Sequence, residues 1–200
     1  DHFWPHIQSL CRALREEGVK IPTLFNSSGY QKPERAPEYA EWIDIFLPDF
    51  KFAQPELAKT CMGDERYPEI ALKSLREMVR LKGFLEPWDI TGGETATRGV
   101  LVRHLVLPGH VENSLKVLKL LHTEFGPGLP LSVMSQFRPV PKCEEKNQFQ
   151  RILNPQEYDQ VLELVESLGF EKVYTQELKE DTSFLPDFKD PKNPFPGNRK

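Results

Sequence analysis

The sequence predicts an α/β chain, a parallel sheet with helices packed outside it, and three observations carry that prediction. The stretch Gly99 to Gly109, GVLVRHLVLPG, is almost continuously β-branched or aliphatic, as suits a strand buried on both faces. Amphipathic stretches alternate with such runs along the chain, the order that strand–helix–strand crossovers require. Glycines close the helical stretches, where a left-handed stop favours a residue without Cβ.

Taken in order, Phe3, Ile7, Leu10, Cys11 and Leu14 recur at helical spacing, Gly18 offers the stop, and VKIPTLFN from Val19 reads as a short strand. WIDIFL, Trp42 to Leu47, is a second apolar run that ends at Pro48, and an amphipathic helix is expected from Glu69 to Lys82 before Gly83. A strand over Val100 to Leu107 comes next, then a helix from Val111 to Phe125 closed by Gly126, then the strand LSVMSQF. The last helix is the best marked. Asn154 stands as N-cap, Pro155 at the first helical position and Glu157 as capping-box partner; Tyr158, Val161, Leu162, Val165 and Leu168 form the apolar face before Gly169. KVYTQ then reads as one more strand. These strand candidates fall short of the roughly eight strands and 250 residues of a closed barrel, so the residues leave a doubly wound sheet and a barrel both open. From Leu178 the chain turns to proline and charge without periodicity, which divides it into a folded part, 1–177, and an extended tail, 178–200, docked through Phe184 and Leu185.

Composition narrows the function classes. With 38% hydrophobic and 28% charged residues, the 200-residue chain can bury a core. A net charge of −4 removes the simplest drive toward nucleic acid or an anionic membrane. No stretch is apolar and long enough to span a bilayer, and the opening DHFWPHIQS lacks the pattern of a signal peptide, so a cytoplasmic protein is expected. Cys11, Cys61 and Cys143 are too few and too scattered for a disulfide framework or a CxxC metal site, and His2 with His6 has no third ligand nearby. No metal ligand is assigned.

The hexapeptide FLPDFK occurs twice, at Phe46 to Lys51 and at Phe184 to Lys189. Only the first copy has a strand behind it. Ligand chemistry in parallel α/β folds gathers at the carboxyl ends of strands, and there Asp49 and Lys51, two residues apart in extended chain, share one side. The pair suits a zwitterion or a ribose; a solvated turn with a weak ion pair is the plainer alternative. NSSGY, Asn26 to Tyr30, ends the first strand, and Gln136 and Arg138 stand at the end of LSVMSQF. Arg103 lies inside an otherwise apolar strand, where an unpaired guanidinium is costly, so it needs an anion: a ligand carboxylate is favoured over a neighbouring aspartate. His104 alternates to the other face, beneath the helices. TGGETATRG lacks the GK[ST] ending of a phosphate loop, and Gly92 and Gly93 read as a turn before the strand.

Taken together, FNSSGY, DIFLPDFKF, RGVLVRHLVLPGH, MSQFRP and LNPQEYDQVLELVESLG, in this order over about residues 1–175, resemble radical S-adenosylmethionine proteins related to the pyruvate formate-lyase activating enzyme. The resemblance implies the C-terminal part of a partial (β/α)6 barrel and, in an intact protein, reductive cleavage of S-adenosylmethionine (AdoMet) by a four-iron four-sulfur cluster. The partner implied is a glycyl radical enzyme or an unknown small molecule. The CxxxCxxC cluster motif of that family is not in this sequence, and GGET at Gly92 to Thr95 lies in the wrong place to be its GGE stretch. An N-terminal cluster-binding part is therefore expected to be lacking, by natural loss, proteolysis or truncation, leaving this chain alone without activity and without a catalytic residue to assign. By motif, Asp49, Lys51 and Arg103 resemble AdoMet contacts, with Lys51 or Arg103 near the methionine carboxylate; Asn26 and Ser28 resemble residues lining the same cleft, and Arg138 resembles a further polar contact. Two rivals stand beside this reading: a Schiff-base lyase using Lys51, and a non-enzymatic half-barrel that binds a partner or itself through an open sheet edge.

Overall fold

A computed structural model of the chain describes residues 3–139, 143 and 149–178. The second FLPDFK copy, with Asp187 and Lys189, the docking residues Phe184 and Leu185, and His2 lie outside the described residues.

The chain opens on helix α1 (Trp4–Glu16), then strand β1 (Leu24–Ser27), a short 3-10 turn, α2 (Ala36–Ala40), β2 (Ile45–Pro48), α3 (Pro55–Met62) and α4 (Tyr67–Lys82). The strand segments β3 (Gly99–Val100) and β4 (Val102–Leu105) precede α5 (Val111–Phe125), β5 (Leu131–Met134), α6 (Pro155–Ser167) and β6 (Val173–Thr175). Every strand pairing is parallel, in two three-stranded sheets ordered β1-β2-β3 and β4-β5-β6. The sheets meet in the middle. Ile45 is paired with Gly99 and Phe46 with Val100, and the same register continues to a bridge between Asp49 and Arg103. β3 and β4 are thus one path through the sheet, interrupted at Leu101, whose N–H still donates to Phe46 O at 3.0 Å. The predicted parallel α/β class is observed, as an open run of strands with β1 and β6 at its ends among the described residues.

Sheet alternation sorts the two faces. One face, with Phe46, Phe50, Val100, Val102, Leu131 and Val133, is sealed under the helices and forms the main core with Tyr67, Leu75, Leu118, Leu121 and Val161. Helix α1 joins it through Trp4, which packs edge-on against Tyr39 at 4.4 Å between ring centroids. The opposite face carries a smaller apolar cluster of Ile45, Leu85 and Leu101, with Leu47, Trp88 and Tyr174 against it. The chain between β-bridges at Phe84 and Arg98 supplies Leu85 and Trp88, so it folds across the amino-terminal half of that face. Farther along the strands the same face turns polar.

Three element starts differ from the sequence expectation, and two helices were not expected. β1 begins at Leu24 instead of Val19: Pro22 has no N–H for a ladder, and Thr23 gives both its N–H and its hydroxyl to Asp44 Oδ2 at 2.8 Å. β2 begins at Ile45 because Trp42 and Ile43 close the preceding helix, both N–H groups donating to Tyr39 O. α4 starts two residues earlier than expected, at Tyr67. α2 and α3 were not expected at all, although α3 has Pro55 at its first position and left-handed Gly63 as its stop. Two strands are also shorter than expected: Val100 to Leu107 is interrupted at Leu101 and ends at Leu105, and LSVMSQF is strand only to Met134. The Asn154–Glu157 capping box is fully formed, and Gly92 and Gly93 sit in a loop whose ends meet at the antiparallel bridge Glu86–Arg98. No helix among the described residues is long and apolar enough to cross a membrane.

Candidate functional site

Asp49 follows the last residue of β2, where the pleat points its side chain to the face not covered by helices. Its residue is 8% exposed, and two cations converge on it. Arg103, from the middle of β4, donates Nε and Nη2 to Asp49 Oδ1 at 2.9 and 2.7 Å, and Lys51 Nζ meets Oδ2 at 2.5 Å. A carboxylate so enclosed requires this pairing, because removing one cation leaves buried charge uncompensated. The anion beside Arg103 in this structure is the neighbouring aspartate, one of the two partners that the sequence left open. The reason is register: Asp49 and Arg103 are bridge partners on adjacent strands, so their side chains stand side by side on one face. Lys51 is likewise held in an ion pair with Asp49.

The guanidinium and ammonium remain partly open to solvent, with side-chain exposures of 24% and 32%. Their remaining donors face the open side of the sheet. The arrangement presents two cations and one carboxylate within hydrogen-bond reach of each other, a donor set suited to a zwitterion bearing a carboxylate and hydroxyls.

The strand ends that carry this cluster are fastened from behind by polar side chains, of which the sequence singles out His104 but not Tyr67 or Asn113. The Tyr67 hydroxyl lies 3.0 Å from both Ser28 O and Asp49 O and accepts from Lys51 N at 3.0 Å. Burial pushes this phenol well above its usual range, so it stays protonated as a donor. Asn113, 1% exposed, donates Nδ2 to Lys51 O at 2.9 Å and accepts from Ala53 N and Gln54 N. His104, placed beneath the helices as expected, has Nδ1 2.7 Å from Phe50 O and Nε2 2.9 Å from Ser114 Oγ. A carbonyl only accepts, so Nδ1 carries the proton and Nε2 accepts from the serine. Burial is the largest influence on this imidazole and lowers its pKa to about 4, only partly offset by the Phe50 carbonyl. Gly29 explains itself here as well: it is left-handed at φ +72°, and a Cβ would lie 2.1 Å from Asp49 O. The glycine of NSSGY was visible in the sequence; its crossing over Asp49 was not.

The other site candidates are less integrated. Asn26 and Ser28 stand exposed at the end of β1, next to β2 in the register Asn26–Leu47. The Ser28 carbonyl shares the Tyr67 hydroxyl with Asp49. Arg138 lies beyond the end of β5 and donates Nη1 to Phe137 O at 2.8 Å; the ion pairs of Asp49 are with Lys51 and Arg103. An iron–sulfur cluster does not fit the described residues. Cys11 is buried, Cys61 is exposed and Cys143 is intermediate, and no three His, Cys, Asp or Glu side chains gather as a metal site among the described residues.

Comparison with known proteins gives a relative and a fold neighbour. No family model matches the chain. It is 25% identical over 170 residues to an uncharacterized protein of Methanocaldococcus jannaschii, an alignment covering 85% of this chain and 45% of that protein. The chain thus spans less than half the length of this curated relative. Its structure is similar to that of a domain of pyruvate-formate lyase-activating enzyme from Bacteroides vulgatus, with a TM-score of 0.55, 14% identity, and coverage of 86% of this chain and 92% of the solved domain. At that identity the likeness establishes the fold alone: the parallel α/β architecture of this chain is similar to that of the solved domain.

Proposed function

We propose that this chain is the AdoMet-binding portion of a radical S-adenosylmethionine protein of the activating-enzyme kind, built as part of a (β/α)6 barrel. The observation that carries the reading is the meeting of Asp49, Lys51 and Arg103 at neighbouring strands on the face the helices leave open. Arg103 and Lys51 would bind the methionine carboxylate. Asp49, with Asn26 and Ser28 from the adjoining strand end, would accept from the ribose hydroxyls or the ammonium, and Arg138 would add a contact from the β5 side. Radical chemistry on AdoMet would need an iron–sulfur cluster beside it, and no three His, Cys, Asp or Glu side chains gather to ligate one among the described residues. Reductive cleavage is accordingly assigned to a longer polypeptide in which another segment provides the cysteines. A cytoplasmic setting and a glycyl radical enzyme as protein substrate belong to the same proposal.

Isothermal titration of AdoMet into this chain tests it. The expected affinity is on the order of 10–100 µM, and Arg103→Met should weaken it about tenfold by removing a charge-assisted pair. A folded wild-type chain that takes up no AdoMet would sink the reading, as would an Arg103→Met variant that binds unchanged.

A further inference from the structure

We propose that Tyr67 is a positioning residue for the candidate site, its buried hydroxyl fixing the ends of β1 and β2 so that the Asp49 carboxylate meets Arg103, with Asn113 completing the clamp on the following turn. The parallel ladder reaches only part of this turn: past Pro48, Asp49 N still donates to Ser27 O at 2.9 Å and Phe50 N to Arg103 O at 2.8 Å, but the carbonyls of Ser28 and Asp49 and the N–H of Lys51 meet the Tyr67 hydroxyl instead. The Tyr67 hydroxyl serves the carbonyls of Ser28 and Asp49 and the N–H of Lys51, all at 3.0 Å, which fastens the backbone of both residues in the Asp49–Lys51 ion pair.

The ring that delivers this hydroxyl is held on several sides. It stacks on Tyr30 at 5.6 Å and meets Phe52 and Phe50 edge-on at 5.5 and 6.4 Å. Asn113 takes over one residue later, gripping Lys51 O and the N–H groups of Ala53 and Gln54. Gly29 leaves no slack on the other side, since its backbone runs directly over Asp49 O. A shift of the Asp49 backbone therefore moves the carboxylate relative to a guanidinium anchored on a different strand. Tyr158 offers an internal comparison: its hydroxyl donates to Val133 O at 2.9 Å and accepts from Gln176 N at 3.1 Å, the same device at the β5–β6 strand ends.

The experiment compares Tyr67→Phe with Tyr158→Phe, each losing one buried hydroxyl. The first readout is the Arg103 Nε–H resonance in the ligand-free chain, assigned by its disappearance in Arg103→Lys; it reports the bond to Asp49 and does not depend on any ligand. The second is AdoMet affinity, the only arm that rests on the AdoMet reading. Tyr67→Phe is expected to shift the Arg103 resonance and weaken AdoMet binding by on the order of tenfold, whereas Tyr158→Phe leaves both as in the wild type. An unmoved Arg103 resonance in Tyr67→Phe, or an equal shift in Tyr158→Phe, overturns the proposal. If the wild-type chain binds no AdoMet while Tyr67→Phe still moves the resonance, the positioning role stands and the ligand assignment falls. Should Tyr67→Phe not fold, Asn113→Asp replaces it, keeping the acceptor for Ala53 and Gln54 while giving up donation to Lys51 O; an unchanged Arg103 resonance there overturns the proposal equally.

Discussion

Polar residues sealed behind the Asp49 cluster determine its geometry, and His104 makes their cost measurable. Its imidazole is fully enclosed and neutral, with a folded pKa of about 4 against an ordinary 6.5. Because the folded value is depressed, the stability this group contributes is present above pH 6.5 and is lost as the pH falls toward 4, where only the unfolded chain gains the proton. Over that interval the loss amounts to about 3 kcal/mol. Urea unfolding followed from pH 7 to pH 5 should show declining stability in the wild type and a flatter profile in His104→Gln. Parallel profiles for the two proteins would mean that another group controls acid sensitivity. Glu157, held down to about 2 chiefly by Arg151 and also by N–H groups of Gly109 and Asn154, has its ordinary value at 4.5 and acts mainly below this window.

Some element ends in this fold are set by caps and turns, although among the described helices α1 to α6 only α6 has a side-chain N-cap hydrogen bond. Helix α6 is the clearest case, since Asn154 accepts from Glu157 N at 2.8 Å and Glu157 returns a bond from Asn154 N at 3.2 Å. Glu157 also binds Arg151 and Gly109 N, which ties the start of α6 to the turn after β4. Asn154→Ala is expected to cost about 1 kcal/mol in chemical denaturation and to leave ligand binding at Asp49 unchanged; a loss of binding with no loss of stability would contradict this division. The capping box was legible because its residues are adjacent in sequence. α2 and the start of β2 were not, because Trp42 and Ile43 look like strand residues until their N–H groups are seen to bond back to Tyr39 O.

At the scale of the whole molecule, the sheet separates a sealed face from one that holds charge. The Ile45–Leu85–Leu101 cluster floors the open face at one end, and the charged cluster lies farther toward the carboxyl ends of the strands. The two FLPDFK copies therefore predict different outcomes. Asp187→Ala with Lys189→Ala should leave AdoMet affinity within about twofold of wild type, since the sequence puts no strand behind that copy. Asp49→Ala with Lys51→Ala should remove most of the measured binding. Equal losses in the two double variants would show that the second copy shares the site.

The sequence by itself determined the order of the longer elements without α2 and α3, the α/β class, the capped last helix, the face of His104 and the choice of Asp49, Lys51 and Arg103 as candidates. Each of these is written in local spacing or in a single chemical type, such as a guanidinium within an aliphatic strand. Only the tertiary structure decided that Arg103 pairs with Asp49, that Tyr67 and Asn113 hold the strand ends, and why Gly29 has no side chain. Those facts join residues 54, 18, 62 and 20 positions apart. Contacts of that kind depend on which strands lie side by side and in what register; the alternation of residue types fixes the face a side chain takes, but not which residue of which strand stands beside it.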